Sequence, residues 1–166
     1  MLNSDANRAC VISHFPKLAA DSDFLIVRGI NPNYNCIAWT ACYDNIWWQP
    51  LPENQRPIVG LDGVVFDWPY NAPNNSKIET LTGIFKNKGY EICTDENLEN
   101  GFRKICFYGE TIQDVKHAAR QLVGGKNNGK WTSKLGPGFE IIHGTPFTIE
   151  SVPYGKVIQF MKVKFP

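Results

Sequence analysis

Asn31–Tyr43 reads NPNYNCIAWTACY. Pro32 holds its neighbours out of helix, Asn33 or Asn35 is suited to cap, and CIAWTAC then places apolar and small residues at helical spacing. A helix is therefore expected to begin at or near Cys36. Unpaired amides and the positive end of the dipole at a helix start favour a thiolate, the nucleophilic form of cysteine. Of the three histidines, His117 is the best placed to act as its base. A second reading stays open, in which Cys36 is a small buried hydrophobe and Asn35 only a cap.

The chain of 166 residues fits one domain, residues 1–166, with 1–22 as a leader packing on it. Hydrophobic residues at 43% and charged residues at 20% are the mix of an ordinary globular protein, which argues against disorder. Acidic and basic residues are interspersed and the net charge is +1, so no phosphate-tracking surface is indicated and nucleic acid is not an expected partner. No apolar run approaches the roughly 20 residues of a membrane span, and MLNSDANRAC lacks the basic-then-apolar order of a signal peptide. A cytoplasmic protein is expected, although a toxin domain exported by a dedicated machine needs no signal peptide. The five cysteines form no C-x-x-C pair, and with His14, His117 and His143 they show no ligand spacing. Neither a disulfide framework nor a metal or cofactor is expected.

Outward from the cysteine, Pro16 suits a first helical turn, and Asp23–Arg28 (DFLIVR) reads as a strand. NIWWQPLPENQRP fits neither period and reads as a loop packed by Trp47 and Trp48, and Trp68-Pro69-Tyr70-Asn71 has the same character. Ser76-Lys77-Ile78-Glu79 is a capping-box pattern opening a helix with the stripe Ile78, Leu81, Ile84 and Phe85, ended by Gly89. Strands are expected at Tyr90–Cys93 and at Lys104–Tyr108, the latter apolar on both faces and so central in a sheet. Val115–Leu122 and Lys130–Leu135 flank GGKNNG and should pair as an antiparallel hairpin. Phe139–His143 adds a further strand, and KVIQFMKVK (Lys156–Lys164) alternates as an outer strand does.

The resulting order is a cysteine at a helix start, then strands, with His117 on a strand that hairpins into another. It resembles the papain-like fold in its small bacterial form, the NlpC-type peptidases and CHAP amidases. The resemblance implies an α+β domain in which the cysteine helix packs on an antiparallel sheet, the histidine begins a strand, and a polar residue on the next strand orients the imidazole. Cys36 and His117 match the first two roles. Ser133 is first choice for the third, followed by Thr132, Gln121 and His143. At the level of motifs, NCIAW, WWxP, WPY, GYEIC, HAARQL, WTSKLG and the late YGKV together resemble an uncharacterised bacterial family that carries these strings in this order.

The implied chemistry is acyl transfer by a peptidase, amidase or deamidase acting on a peptide or protein. His117 takes the thiol proton, Cys36 attacks a carbonyl, and a backbone amide with Asn35 holds the oxyanion. Gln121, Trp39 and Trp48 are further candidates for binding substrate. Arg120, Gln121, Lys130 and Lys134 are each placed to meet a carboxylate or to be solvated surface. The alternative from another class is a non-catalytic binding or immunity-type protein, with Asn35, Arg120 and Lys134 in a buried polar network. An imidazole beside Cys36 is expected to lower its pKa and make it the most reactive cysteine.

Overall fold

Ile105, Cys106, Phe107 and Tyr108 are consecutive and fully buried, which an extended strand achieves only when both of its faces are covered. A computed structural model describes every residue except Tyr70. In chain order the elements are α1 (Asp5–His14), β1 (Leu25–Arg28), α2 (Cys36–Thr40), β2 (Trp47–Trp48), β3 (Ile58–Val59), β4 (Val65–Asp67), α3 (Ile78–Lys86), β5 (Glu91–Cys93), β6 (Phe102–Gly109), β7 (His117–Gln121), β8 (Trp131–Lys134), β9 (Glu140–His143) and β10 (Lys156–Lys164). The protein is thus a mixed α+β structure with few helices. A seven-stranded sheet runs β1-β9-β8-β7-β6-β10-β5, antiparallel at every pairing. A small second sheet, β2-β4-β3, contains one parallel pair.

Alternation along β6 divides the core in two. Ile105 and Phe107 face α2, α3, Trp48 and Trp68, where Leu81, Ile84 and Phe85 bury the stripe of α3. Each of those side chains contributes about 2 kcal/mol by leaving water. Cys106 and Tyr108 face the other way, against Val11 of α1, Phe15, Leu18 and Trp131. Among the described residues no helix is long and apolar enough to cross a membrane.

Several expectations are corrected. The leader holds a regular helix, α1, whose start is capped by Ser4 accepting from the Asn7 amide, and only Val11 on it is buried, too little apolar face to announce itself by periodicity. The capping box does not form: Ser76 Oγ instead bonds Asp114, and Asn75 Oδ1 accepts from the Lys77 amide and the Thr80 hydroxyl. KVIQFMKVK is no outer strand, since β10 lies between β6 and β5. Trp47 and Trp48 form a short strand beside β4. The hairpin of β7 with β8 forms as expected, and its GGKNNG connection contains a 3-10 turn at Gly125–Asn127. Trp68 is buried, its indole N–H donating to the Pro73 carbonyl, while Tyr70 of the same stretch lies outside the described residues.

Candidate functional site

Helix α2 starts at Cys36 because Asn35 is extended and its Oδ1 accepts from the Ala38 amide at 3.2 Å. The helix packs on β7 and β8. Its first residue therefore meets the sheet where β7 begins, and the thiol is met by backbone N–H groups of Ala118, Ile37 and Cys36 itself.

His117 is the first residue of β7. Alternation sends Ala118 and Arg120 toward α2, whereas His117 and Ala119 join the opposite layer. Val115 packs with Ala118 on the α2 side, because the strand proper begins only at His117. The imidazole is fully buried and lies flat on Tyr154, ring centroids 3.9 Å apart and 5° from parallel. Its Nε2 is 3.1 Å from Ser133 Oγ on β8, and Ser133 Oγ is 2.8 Å from His143 Nε2 on β9. His143 Nδ1 in turn is 2.8 Å from the Thr145 carbonyl. Nδ1 of His117 is buried with no hydrogen-bond partner. The thiol thus sits at the backbone of the residue that follows His117, with no hydrogen bond between thiol and ring.

Burial governs the electrostatics. It pushes the Cys36 thiol up to about 11, opposed by the surrounding amides and the charge of Lys134. It holds His117 well below 6.5, with His143 adding to the effect, and holds His143 down to about 4. The expected lowering of the Cys36 pKa is therefore reversed in this closed arrangement, because desolvation of a thiolate outweighs the amides and the helix start. Thiol and imidazole are both neutral.

The other candidates are placed as follows. Asn35 is occupied at both ends: besides capping, its Oδ1 accepts from the Trp48 amide at 3.1 Å and its Nδ2 donates to the Trp48 carbonyl at 2.7 Å. One of the two Nδ2 hydrogens is thus engaged by Trp48, and the amide ties the start of α2 to that residue. Trp48 is buried against Tyr43. Trp39 donates from its indole to Thr132 Oγ1 and carries Arg120 over its ring at 4.7 Å, so both Trp39 and Thr132 are spent on holding α2 to the sheet. Gln121 is buried, its Nε2 donating to the Glu96 carbonyl. Lys134 is no surface cation: its Nζ donates to Asn31 and Gly136 carbonyls and stands over the Tyr34 ring. Lys130 pairs with Asp23.

Tyr154 had no signal beyond its place in YGKV. It is carried by a short hairpin in which Ser151 and Gly155 exchange backbone hydrogen bonds. A Cβ on Gly155 would lie 2.5 Å from the Gly109 carbonyl carbon, so only glycine lets this turn seat on β6. An apolar cavity of about 360 Å³ between Val11, Phe15, Leu135, Phe139 and Tyr154 opens on one side of the hairpin, and one of about 750 Å³ beside Glu150, Val152 and Ile158 on the other.

Among the described residues no group of three or more His, Cys, Asp or Glu side chains is arranged to hold a metal. Residues 26–162 match the family described as Domain of unknown function (DUF7689). The chain belongs to this family. The matched span runs from β1 into β10 and so includes Cys36, His117, Ser133, His143 and Tyr154. No curated protein and no solved structure matches the chain.

Proposed function

We propose that this DUF7689 member is a cysteine-dependent acyl-transfer enzyme of papain-like architecture, a peptidase, amidase or deamidase acting on a peptide or protein. The observation that carries the reading is the imidazole of His117, held through Nε2 by Ser133 with Nδ1 left unpartnered, one residue from the backbone amide that meets Cys36 Sγ. A buried nitrogen without a partner costs about 1–3 kcal/mol, a cost that a general base bears for its task.

As Sγ bonds to the substrate carbonyl carbon, Nδ1 of His117 takes the thiol proton and the carbonyl π pair moves to oxygen. A backbone N–H at the start of α2 and the second N–H of Asn35 supply the oxyanion donors. Collapse expels the amine, which leaves with the proton from His117, and a thioester remains on Cys36. Water, deprotonated by His117, then releases the acid and restores the thiol. All of this requires the hairpin bearing Tyr154 to lift and the His117 ring to turn toward the α2 side, since both groups are covered and the ring lies in the layer opposite Cys36. The cavities on both sides of that hairpin and the nearly full exposure of Val152 at its tip support such a movement.

The test is acylation. Incubated with a small thioester donor and followed by peptide mass spectrometry, wild-type protein should carry the acyl group on Cys36 transiently, and His117→Ala should not. Acylation confined to the exposed Cys10 and Cys42 would overturn the proposal.

The non-catalytic binding reading is favoured by a different observation, the polar network on the α2 side of the sheet. Tyr34 Oη bonds Glu140 at 2.7 Å, Arg28 pairs with Glu140, Lys134 donates to two carbonyls, and Arg120 Nε donates to the Trp39 carbonyl. On that reading Cys36 stays inert to acyl donors and alkylating reagents alike.

A further inference from the structure

Four hydrogen-bonding groups stand in line from β7 to the turn after β9: His117 Nε2, Ser133 Oγ, His143 Nε2 and, beyond the second ring, the Thr145 carbonyl. All three side chains are fully buried, so no water competes for their protons. The line has a direction. A carbonyl only accepts, so His143 Nδ1 must carry a proton. With His143 neutral, its Nε2 is a bare acceptor, and Ser133 must donate to it. A serine hydroxyl has one proton, and having donated it, Oγ can only accept from His117. His117 Nε2 therefore carries the ring proton, and Nδ1 is left as a lone pair. Burial holds both imidazoles below their ordinary range, which is the neutrality that the counting requires.

We propose that His143 is the positioning residue of this site: through Ser133 it sets the tautomer of His117 so that Nδ1, the nitrogen without a partner, is the basic one. The Thr145 carbonyl is the anchor from which the order of donors is counted. The tautomer stands on hydrogen-bond geometry between neutral, buried rings, while its use as the base for Cys36 rests on the acyl-transfer reading. If the line ran the other way, Nδ1 of His117 would carry a buried proton with no acceptor, and His143 would set its proton-free nitrogen against a carbonyl oxygen. Both are costly.

Long-range proton–nitrogen correlation spectra of histidine-labelled native protein decide the tautomer, with His14→Asn removing the one exposed ring from the spectrum. Expected are a pyrrole-type Nε2 and pyridine-type Nδ1 for His117, with the opposite for His143. A pyrrole-type Nδ1 on His117 overturns the proposal. His143→Gln keeps an acceptor for the Ser133 hydroxyl and should leave the His117 pattern and the Cys36 acylation rate near wild type. His143→Phe keeps a ring but removes the acceptor, so His117 should become a tautomer mixture and acylation should fall about tenfold or more. An unchanged His117 pattern in His143→Phe overturns the proposal, and if that variant does not fold, Ser133→Ala asks the same question. A wild-type spectrum as expected, in protein whose Cys36 never acylates, supports the tautomer line and overturns only the enzyme.

Discussion

His117 and Tyr154 lie face to face, their ring centroids 3.9 Å apart, and the phenol covers a buried imidazole whose Nδ1 has no partner. Tyr154 is half-buried and stands on a hairpin seated by backbone contact with β6. Tyr154→Ala removes a stack of about 1 kcal/mol together with the buried part of the ring, a total of about 2 kcal/mol. Iodoacetamide labelling of Cys36 in that variant should be about tenfold faster than in wild type, with Cys106, buried in the middle of the sheet, still protected. Equal Cys36 rates in the two proteins would show that this ring is not the barrier.

Acid should unfold the protein through its buried histidines. Both imidazoles are held below their ordinary range, so the unfolded chain takes up protons first as pH falls. The stability they carry is whole above about 6.5 and, for His143, is lost progressively down to about 4, a loss of about 3 kcal/mol for that ring alone. Urea midpoints measured between pH 7 and pH 4 should drop steeply in wild type and less steeply in His143→Gln. Parallel slopes would mean that His143 is not buried neutral.

At the alkaline end the sign is set by Cys36. Its folded value, about 11, lies above the ordinary thiol value of 9.0, so stability is whole below pH 9 and declines as pH rises toward 11. In Cys36→Ala the decline between those limits should be shallower when unfolding is followed by tryptophan fluorescence. The same thiol should alkylate in native wild-type protein more slowly than Cys10 or Cys42 at pH 7, and the difference should narrow with rising pH.

Lys134→Met keeps the stem and removes the ammonium that bonds Asn31 and Gly136 carbonyls at 2.7 Å each. Two buried acceptors lose their donor, against which relief of a desolvated charge is set. A net loss of about 2 kcal/mol is expected in urea denaturation. A neutral result would count against the polar network as a structural element of the α2 side.

Trypsin should cut after Lys126 well before chymotrypsin cuts at Trp47 or Trp48 under matched native conditions. The first lies exposed in a turn of small and polar residues, whereas Trp48 is buried and gripped at both backbone atoms by Asn35. The opposite order would show that the aromatic segment is the looser one.

What was legible in the sequence was whatever neighbours in the chain decide. Asn35 two residues after Asn33 caps the helix at Cys36 because the cap and the amide it satisfies are three residues apart. Gly89 ends α3, KICFY is buried on both faces, and the hairpin of β7 with β8 closes across one short connection. What only the tertiary structure decided came from partners far along the chain. Ser76 gives up its capping role to Asp114, Asn35 spends its amide on Trp48, and KVIQFMKVK gains a second neighbour in β5. Tyr154 reaches His117 only because a glycine turn fits against β6. The reversal of the Cys36 pKa has the same origin. A helix start is a local property written in the sequence, but burial is the sum of everything packed around a group, and for this thiol the desolvation it brings outweighs the helix.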